Sequence, residues 1–187
     1  TFTEKIREIL KNEDVKLIST YIDFLEELYN NLNLEFDFLK DFDKNALYEL
    51  FTKNLRKLKF KKDFTRTLVK FINENISDKP YYVIQLGIIV NSLQETEKEV
   101  FGEIYKKAMI QRLINSEKIN IDNEQLYIDK LIFKYQIDCA SRVPVILNDY
   151  KKSLESTNEF NYINNSNSKV ITATYDIWEL KENNCLE

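Results

Sequence analysis

Two glycines and two prolines in 187 residues constrain this chain more than any other feature of it. Average usage is about 7% and 5%. Tight hairpins draw on glycine for positive φ, and phosphate-cradling loops need it where backbone must approach the ligand. Gly87 and Gly102 alone do not build a P-loop or a dinucleotide fingerprint, and they disfavour an all-β fold. Long helices joined by polar turns fit such a chain best.

Histidine is absent altogether. That removes Ser-His-Asp and Cys-His catalysis, imidazole acid–base chemistry, and histidine metal sites from what this chain builds alone. The 27 basic and 31 acidic residues give a net charge of −4, with no overall steering towards nucleic acid. Two cysteines are too few for a disulfide framework and suit a reducing compartment. The longest apolar runs, such as Leu86 to Val90, fall far short of the roughly 20 residues of a membrane span. Threonine at position 1 reads as a piece of a longer chain.

Apolar residues at spacings of three and four predict helices along most of the sequence. Ile6, Ile9 and Leu10 begin the pattern, and Leu17 to Leu32 continue it as a wide stripe after the cap Asp14. Asp43 precedes a helix with Ala46, Leu47, Leu50, Phe51, Leu55 and Leu58. Asp63 precedes another with Phe64, Leu68, Val69, Phe71 and Ile72. Ser77 to Pro80 reads as a turn into Tyr81 to Leu93. Further helices are predicted over Glu95 to Ile114, Asp122 to Tyr135, and Val143 to Leu154. A polar loop is expected over Asn161 to Ser168.

The pattern then changes. Val170, Ile171, Thr172, Ala173, Thr174, Tyr175, Ile177 and Trp178 form a β-branched and aromatic run that reads as a lone strand. An isolated strand leaves its backbone unpaired, so its partner is expected from missing sequence or from another chain.

Candidate chemistry is sparse. Acidic residues on the helices read as solvated surface, because a di-iron carboxylate site needs Glu-x-x-His. Cys139 has no base nearby and reads as a buried structural cysteine. The aromatics at 48, 51, 60, 64, 81 and 82 read as core. Arg56, Lys57, Lys59, Lys61 and Lys62, with Arg66 beyond, form a basic cluster interleaved with Leu58, Phe60 and Phe64. It is either a solvated helix end or a groove for an acidic tail or a phosphate backbone.

Several segments resemble the C-terminal region of cullins. Phe64, Leu68, Phe71, Ile72 and Asn73 fit F-x-x-x-L-x-x-F-I-N. Val100, Phe101, Tyr105, Met109, Ile110, Arg112, Leu113 and Ile114 resemble V-F-x-x-x-Y-x-x-x-L-A-x-R-L-L, with Met-Ile in place of Leu-Ala. Asp122 and Glu124 match a D-x-E helix start. Arg142, Val143, Leu147, Asp149 and Ser153 resemble the K-L-E-x-M-x-x-D helix, and Val170 to Trp178 resembles a family strand ending in tryptophan. The matching pieces fall in family order from about Lys61 to Trp178.

The resemblance implies a mainly α fold. Residues 1–115 would be a helical bundle, and residues 116–187 the start of a small α/β module. It implies a non-catalytic scaffold of a ubiquitin ligase, without a cofactor or metal, in the nucleus and cytoplasm. Its partners would be a RING-finger protein adding a strand along Val170 to Trp178, a ubiquitin-conjugating enzyme held through it, and a substrate receptor on an N-terminal stalk. The cullin-like subunit of the anaphase-promoting complex fits the same pattern. A helical adaptor unrelated to ubiquitin is the competing reading, and a nucleic-acid module rests only on the basic cluster.

Overall fold

The computed structural model describes residues 18–20, 22–23, 26–27, 49, 52–53, 64–116 and 119–178. The described chain is mainly helical. Its elements are α1 (Phe64–Asn75), α2 (Val83–Ser92), α3 (Glu95–Asn115), α4 (Ile121–Tyr127), α5 (Val143–Asn164) and a single turn, α6 (Tyr175–Trp178). Residues 18–20, 22–23, 26–27, 49 and 52–53 are also helical. The expected helices at 3–11 and the segment 33–43 lie outside the described residues, as does the basic cluster Arg56, Lys57, Lys59, Lys61 and Lys62.

Local chemistry sets each helix end. Pro80 opens a 3₁₀ turn, Pro80–Tyr82, that leads into α2. Gln94 and Glu97 form a capping box at the start of α3, where Glu97 accepts from the Gln94 N–H at 2.8 Å. Asn120, two residues before the expected Asp122, caps α4 by accepting from Asn123 N at 3.1 Å. Pro144 sits in the first turn of α5, where its missing N–H costs nothing.

The buried side chains form one continuous cluster from Ile18 to Trp178, crossing position 115. α1 lays Leu68, Val69, Phe71 and Ile72 on α3, which buries Phe101, Tyr105, Met109 and Leu113. α2 is buried on most sides through Val83, Leu86, Ile88, Ile89 and Val90. The helix begun by α4 continues as a wide π turn, Ile128–Phe133, that packs on α2.

Neither glycine serves a turn. Among the described residues, the two left-handed positions belong to Gln136 at φ 53° and Asn165 at φ 49°. Both glycines lie inside helices that the segment after the π turn crosses. A Cβ on Gly87 would meet the Tyr135 hydroxyl at 3.0 Å. A Cβ on Gly102 would meet Ile137 Cγ2 at 2.6 Å and Cys139 Sγ at 3.2 Å. The missing side chains let residues 135–139 lie directly against α2 and α3.

Two sequence expectations are corrected. α5 does not end near Leu154 but runs to Asn164, so the expected loop from Asn161 starts four residues late. No strand forms over Val170, Ile171, Thr172, Ala173, Thr174, Tyr175, Ile177 and Trp178. Residues 166–174 carry no regular ladder, and Tyr175–Trp178 is the helical turn α6. The reason is physical: no second strand exists among the described residues, and α5 satisfies this backbone instead. The start of an α/β module expected over 116–187 accordingly has no sheet among them.

Gly102→Ala should destabilise the protein by about 1–3 kcal/mol, because the β-branched and buried Ile137 has no room to yield. Gly87→Ala should be nearly neutral. Tyr135, whose hydroxyl is the nearest atom, has to give by only a few tenths of an ångström, and alanine recovers roughly 1 kcal/mol of helix propensity. Urea unfolding of both variants measures the contrast.

Candidate functional site

The residues singled out at 170–178 belong to a strap, residues 165–174, that returns antiparallel along α5. Its backbone is held by side chains spaced four apart on that helix. Asn161 Nδ2 donates to Ser168 O and Asn161 Oδ1 accepts from Ser168 N, both at 2.9 Å. Thr157 Oγ1 donates to Val170 O at 2.9 Å and accepts from Val170 N at 3.0 Å. Ser153 Oγ accepts from Thr172 N at 2.8 Å, and shares its one proton between Asp149 O at 2.7 Å and Thr172 O at 3.3 Å. Asp149 Oδ2 accepts from Thr174 N at 3.0 Å, Thr174 Oγ1 at 2.8 Å and Trp178 Nε1 at 3.0 Å.

The two repeats are commensurate. Four helical residues rise about 6.0 Å, and two extended residues advance about 6.6 Å. Each helical turn therefore meets every second strap residue. Ile171 and Ala173, between the held residues, pack their side chains against the core, while Thr172 and Thr174 are exposed. The backbone here is extended, as the β-branched and aromatic run suggested, but it is held by helix side chains rather than by a second strand.

Both ends of the strap carry charge. Lys169 Nζ donates to Leu113 O at 2.6 Å, Ile114 O at 2.9 Å and Ser116 O at 3.1 Å. It thereby satisfies the orphan carbonyls of α3 and meets the negative end of its dipole. It also lies 5.4 Å from the Tyr150 ring centre, and burial holds its pKa below the usual lysine value. At the other end, partial burial pushes the Asp149 pKa up, but the donors from Thr174 and Trp178, with Lys152, outweigh it. The carboxyl is held below its ordinary value. Trp178 fills the core beside it, 1% exposed.

A second polar centre joins α1, α3 and α4. Arg112 meets Glu124 as a two-point fork, Nε–Oε1 and Nη2–Oε2 both at 2.8 Å. Its Nη1 donates to Asn73 Oδ1. Both side chains are largely buried, 12% and 3% exposed. Desolvation opposes the Arg112 charge, yet Glu124 outweighs it and raises the pKa. Tyr105 lies beneath the guanidinium, and burial raises its pKa. Asn123 fastens the same corner by donating to Ile76 O at 2.9 Å and Ser77 O at 3.1 Å. The cleft between these groups encloses only about 20 Å³, far below the roughly 300–1,000 Å³ of small-molecule pockets. Its one guanidinium is already committed to Glu124 and Asn73.

The remaining candidates are placed plainly. Cys139 is fully buried, and burial pushes its thiol up to about 12, which keeps it protonated and a poor nucleophile. Tyr82 is core, but Tyr81 is 54% exposed, against expectation. Arg66 is exposed on α1, and the rest of the basic cluster lies outside the described residues. Among the described residues, no group of three or more Cys, Asp or Glu side chains is arranged to hold a metal. No described helix is long and apolar enough to cross a membrane. The α5 ladder was missed in the sequence, although its signal is there: Asp149, Ser153, Thr157 and Asn161 recur every four residues.

Glu124→Ala should cost about 3–5 kcal/mol, because it strands a buried guanidinium. An R112M/E124L double variant should recover most of that loss in urea unfolding. Acid should loosen the strap through Asp149. Its folded pKa is depressed, so its contribution is complete above the ordinary carboxylate value, about 3.9, and is lost as pH falls through the folded value. Trp178 is the sole tryptophan, so its emission should shift red in that acid range. D149N should lack this step.

No protein-family model, no curated protein and no solved structure matches the chain.

Proposed function

We propose that the chain is a scaffold segment of a cullin-RING type ubiquitin ligase. In this reading a rigid helical body holds a RING-finger protein, and through it a ubiquitin-conjugating enzyme, at a fixed position relative to substrate. The observation that carries the reading is the free edge of the strap. Successive residues of an extended chain turn their N–H and C=O groups to opposite sides. The groups of Ser168, Val170, Thr172 and Thr174 turn to α5. Those of Ile171 and Ala173 turn away and bond to no described residue.

Such an edge accepts one added strand from a partner. Main-chain bonds then supply affinity, while the side chains on the partner's two faces supply selectivity. The sequence resemblance supports the same reading, and the residues quoted for it have structural roles here. Phe101, Tyr105 and Leu113 fill the core, Arg112 and Glu124 pair, and Asp149, Ser153 and Trp178 fix the strap. The mechanism is positional. Holding two reactants on one body raises their effective concentration without any bond-making group on the scaffold. Zinc binding and thioester chemistry belong to the partners.

Co-purification of the full-length protein with a RING partner, followed by a ubiquitin-chain assay, tests the proposal. I171P and A173P each remove an N–H that holds nothing within the described chain. Both should keep the fold and lose the partner together with chain assembly. T172P removes an N–H bound to Ser153 and should instead destabilise the strap itself. Undiminished RING binding in both I171P and A173P would overturn strand addition. Partner binding without ubiquitin-chain assembly would favour the helical-adaptor reading.

A further inference from the structure

Asp149 is the one charged rung of the ladder, and it holds the strap's C-terminal end alone. A single oxygen, Oδ2, accepts the Thr174 amide, the Thr174 hydroxyl and the Trp178 indole. The next turn of chain hangs from the same residue, since Ile177 N and Trp178 N donate to Thr174 O at 3.0 and 3.1 Å. Thr174 itself is exposed. A surface hydroxyl thus donates, at 2.8 Å, to the carboxylate that keeps a buried tryptophan in place.

We propose that Thr174 is a modification site that works as a latch: phosphorylation of its hydroxyl releases the strap from α5 and unseats Trp178. The donor is a nucleoside triphosphate acted on by a protein kinase. The Oγ1–P bond forms, the bond from the γ-phosphorus to the leaving diphosphate oxygen breaks, and the hydroxyl proton passes to the kinase base. Hydrolysis by a phosphatase restores the hydroxyl and frees inorganic phosphate.

The effect follows from charge. The hydroxyl donor disappears, and a group of about −1.5 to −2 takes its place against the Asp149 carboxylate. Lys152 is the cation that acts on Asp149, and it is exposed and singly charged. It balances only part of the new charge. Asp149 and phosphothreonine therefore repel, and the indole loses its acceptor with them. The rungs at Thr157 and Ser153 are neutral and feel no such repulsion, so release starts at the Trp178 end. Thr172 provides an internal control. It is exposed on the same strap, yet its hydroxyl bonds to no described residue. The latch concerns the α5 side of the strap and stands whether or not a partner uses the opposite edge.

The test is the full chain with phosphothreonine encoded at 174, compared with the unmodified chain and with phosphothreonine at 172. Trp178 is the only tryptophan, so its emission and quencher access report the latch directly. Phosphothreonine at 174 should shift emission red and speed amide exchange at Thr174 by at least about tenfold, the loss of one charge-assisted bond. The far-UV helical signal should hold, and phosphatase should reverse the change. Phosphothreonine at 172 and the uncharged T174V should both keep Trp178 buried. A buried tryptophan with phosphothreonine at 174 overturns the proposal. So does equal exposure in T174V or at 172, and so does general loss of helix.

Discussion

Backbone that leaves regular structure must still find partners for its N–H and C=O groups, and the C-terminal part of the described chain depends on how α5 meets that demand. Ser168 to Thr174 would be a costly segment to order alone. Asn161, Thr157, Ser153 and Asp149 supply the missing partners from one helical face. Three of them are amphoteric, able to accept from an N–H and donate to a C=O of the same residue. A hydroxyl or amide every fourth position therefore imitates the edge of a strand. Because polar side chains do this work, the strap-facing row of α5 is polar beside the face that buries Val143, Ile146, Leu147 and Tyr150, and its seam is invisible to a search for hydrophobic periodicity.

The glycine scarcity has a corresponding structural meaning. Helical composition leaves turns to Asn, Gln and Ser, and the left-handed positions fall to Gln136 and Asn165. Asparagine tolerates that region well, while glutamine does so at some cost. Both glycines lie under one crossing segment, Gly87 beneath Tyr135 and Gly102 against Ile137 and Cys139, and only at Gly102 is the space too tight for a Cβ. Cys139 is held in that contact, which explains its burial without any catalytic role.

Much of the fold was legible in the sequence because apolar residues at spacings of three and four marked α1, α2, α3 and the α4–π segment. Phe71, Leu86, Tyr105 and Leu131 are buried as that pattern requires. The site was legible only in part. The alternation of Ile171 and Ala173 with Thr172 and Thr174 correctly signals an extended, half-buried chain, but period two does not say what lies along its edge. A strand was inferred from the β-branched and aromatic residues of 170–178, and composition does not show that a helix can serve as the partner. The fork between Arg112 and Glu124 was hidden for a different reason: the residues are twelve apart and meet only when α3 turns back into α4.

The proposed scaffold role would require the free edge of the strap to stay in place while a partner pulls on it. The strap is tied at Lys169 to the end of α3, along its length to α5, and through Trp178 to the core. α3 is in turn locked to α4 and α1 by Arg112, Glu124 and Asn73. Force on the free edge is therefore passed to several helices rather than to one loop. The weak point in this chain of ties is the rung that carries charge. The neutral rungs do not respond to charge, whereas Asp149 holds three bonds on one oxygen and all three weaken together when its charge is neutralised or opposed. In the proposed latch, stability and control of the edge would thus meet at the same carboxylate, Asp149.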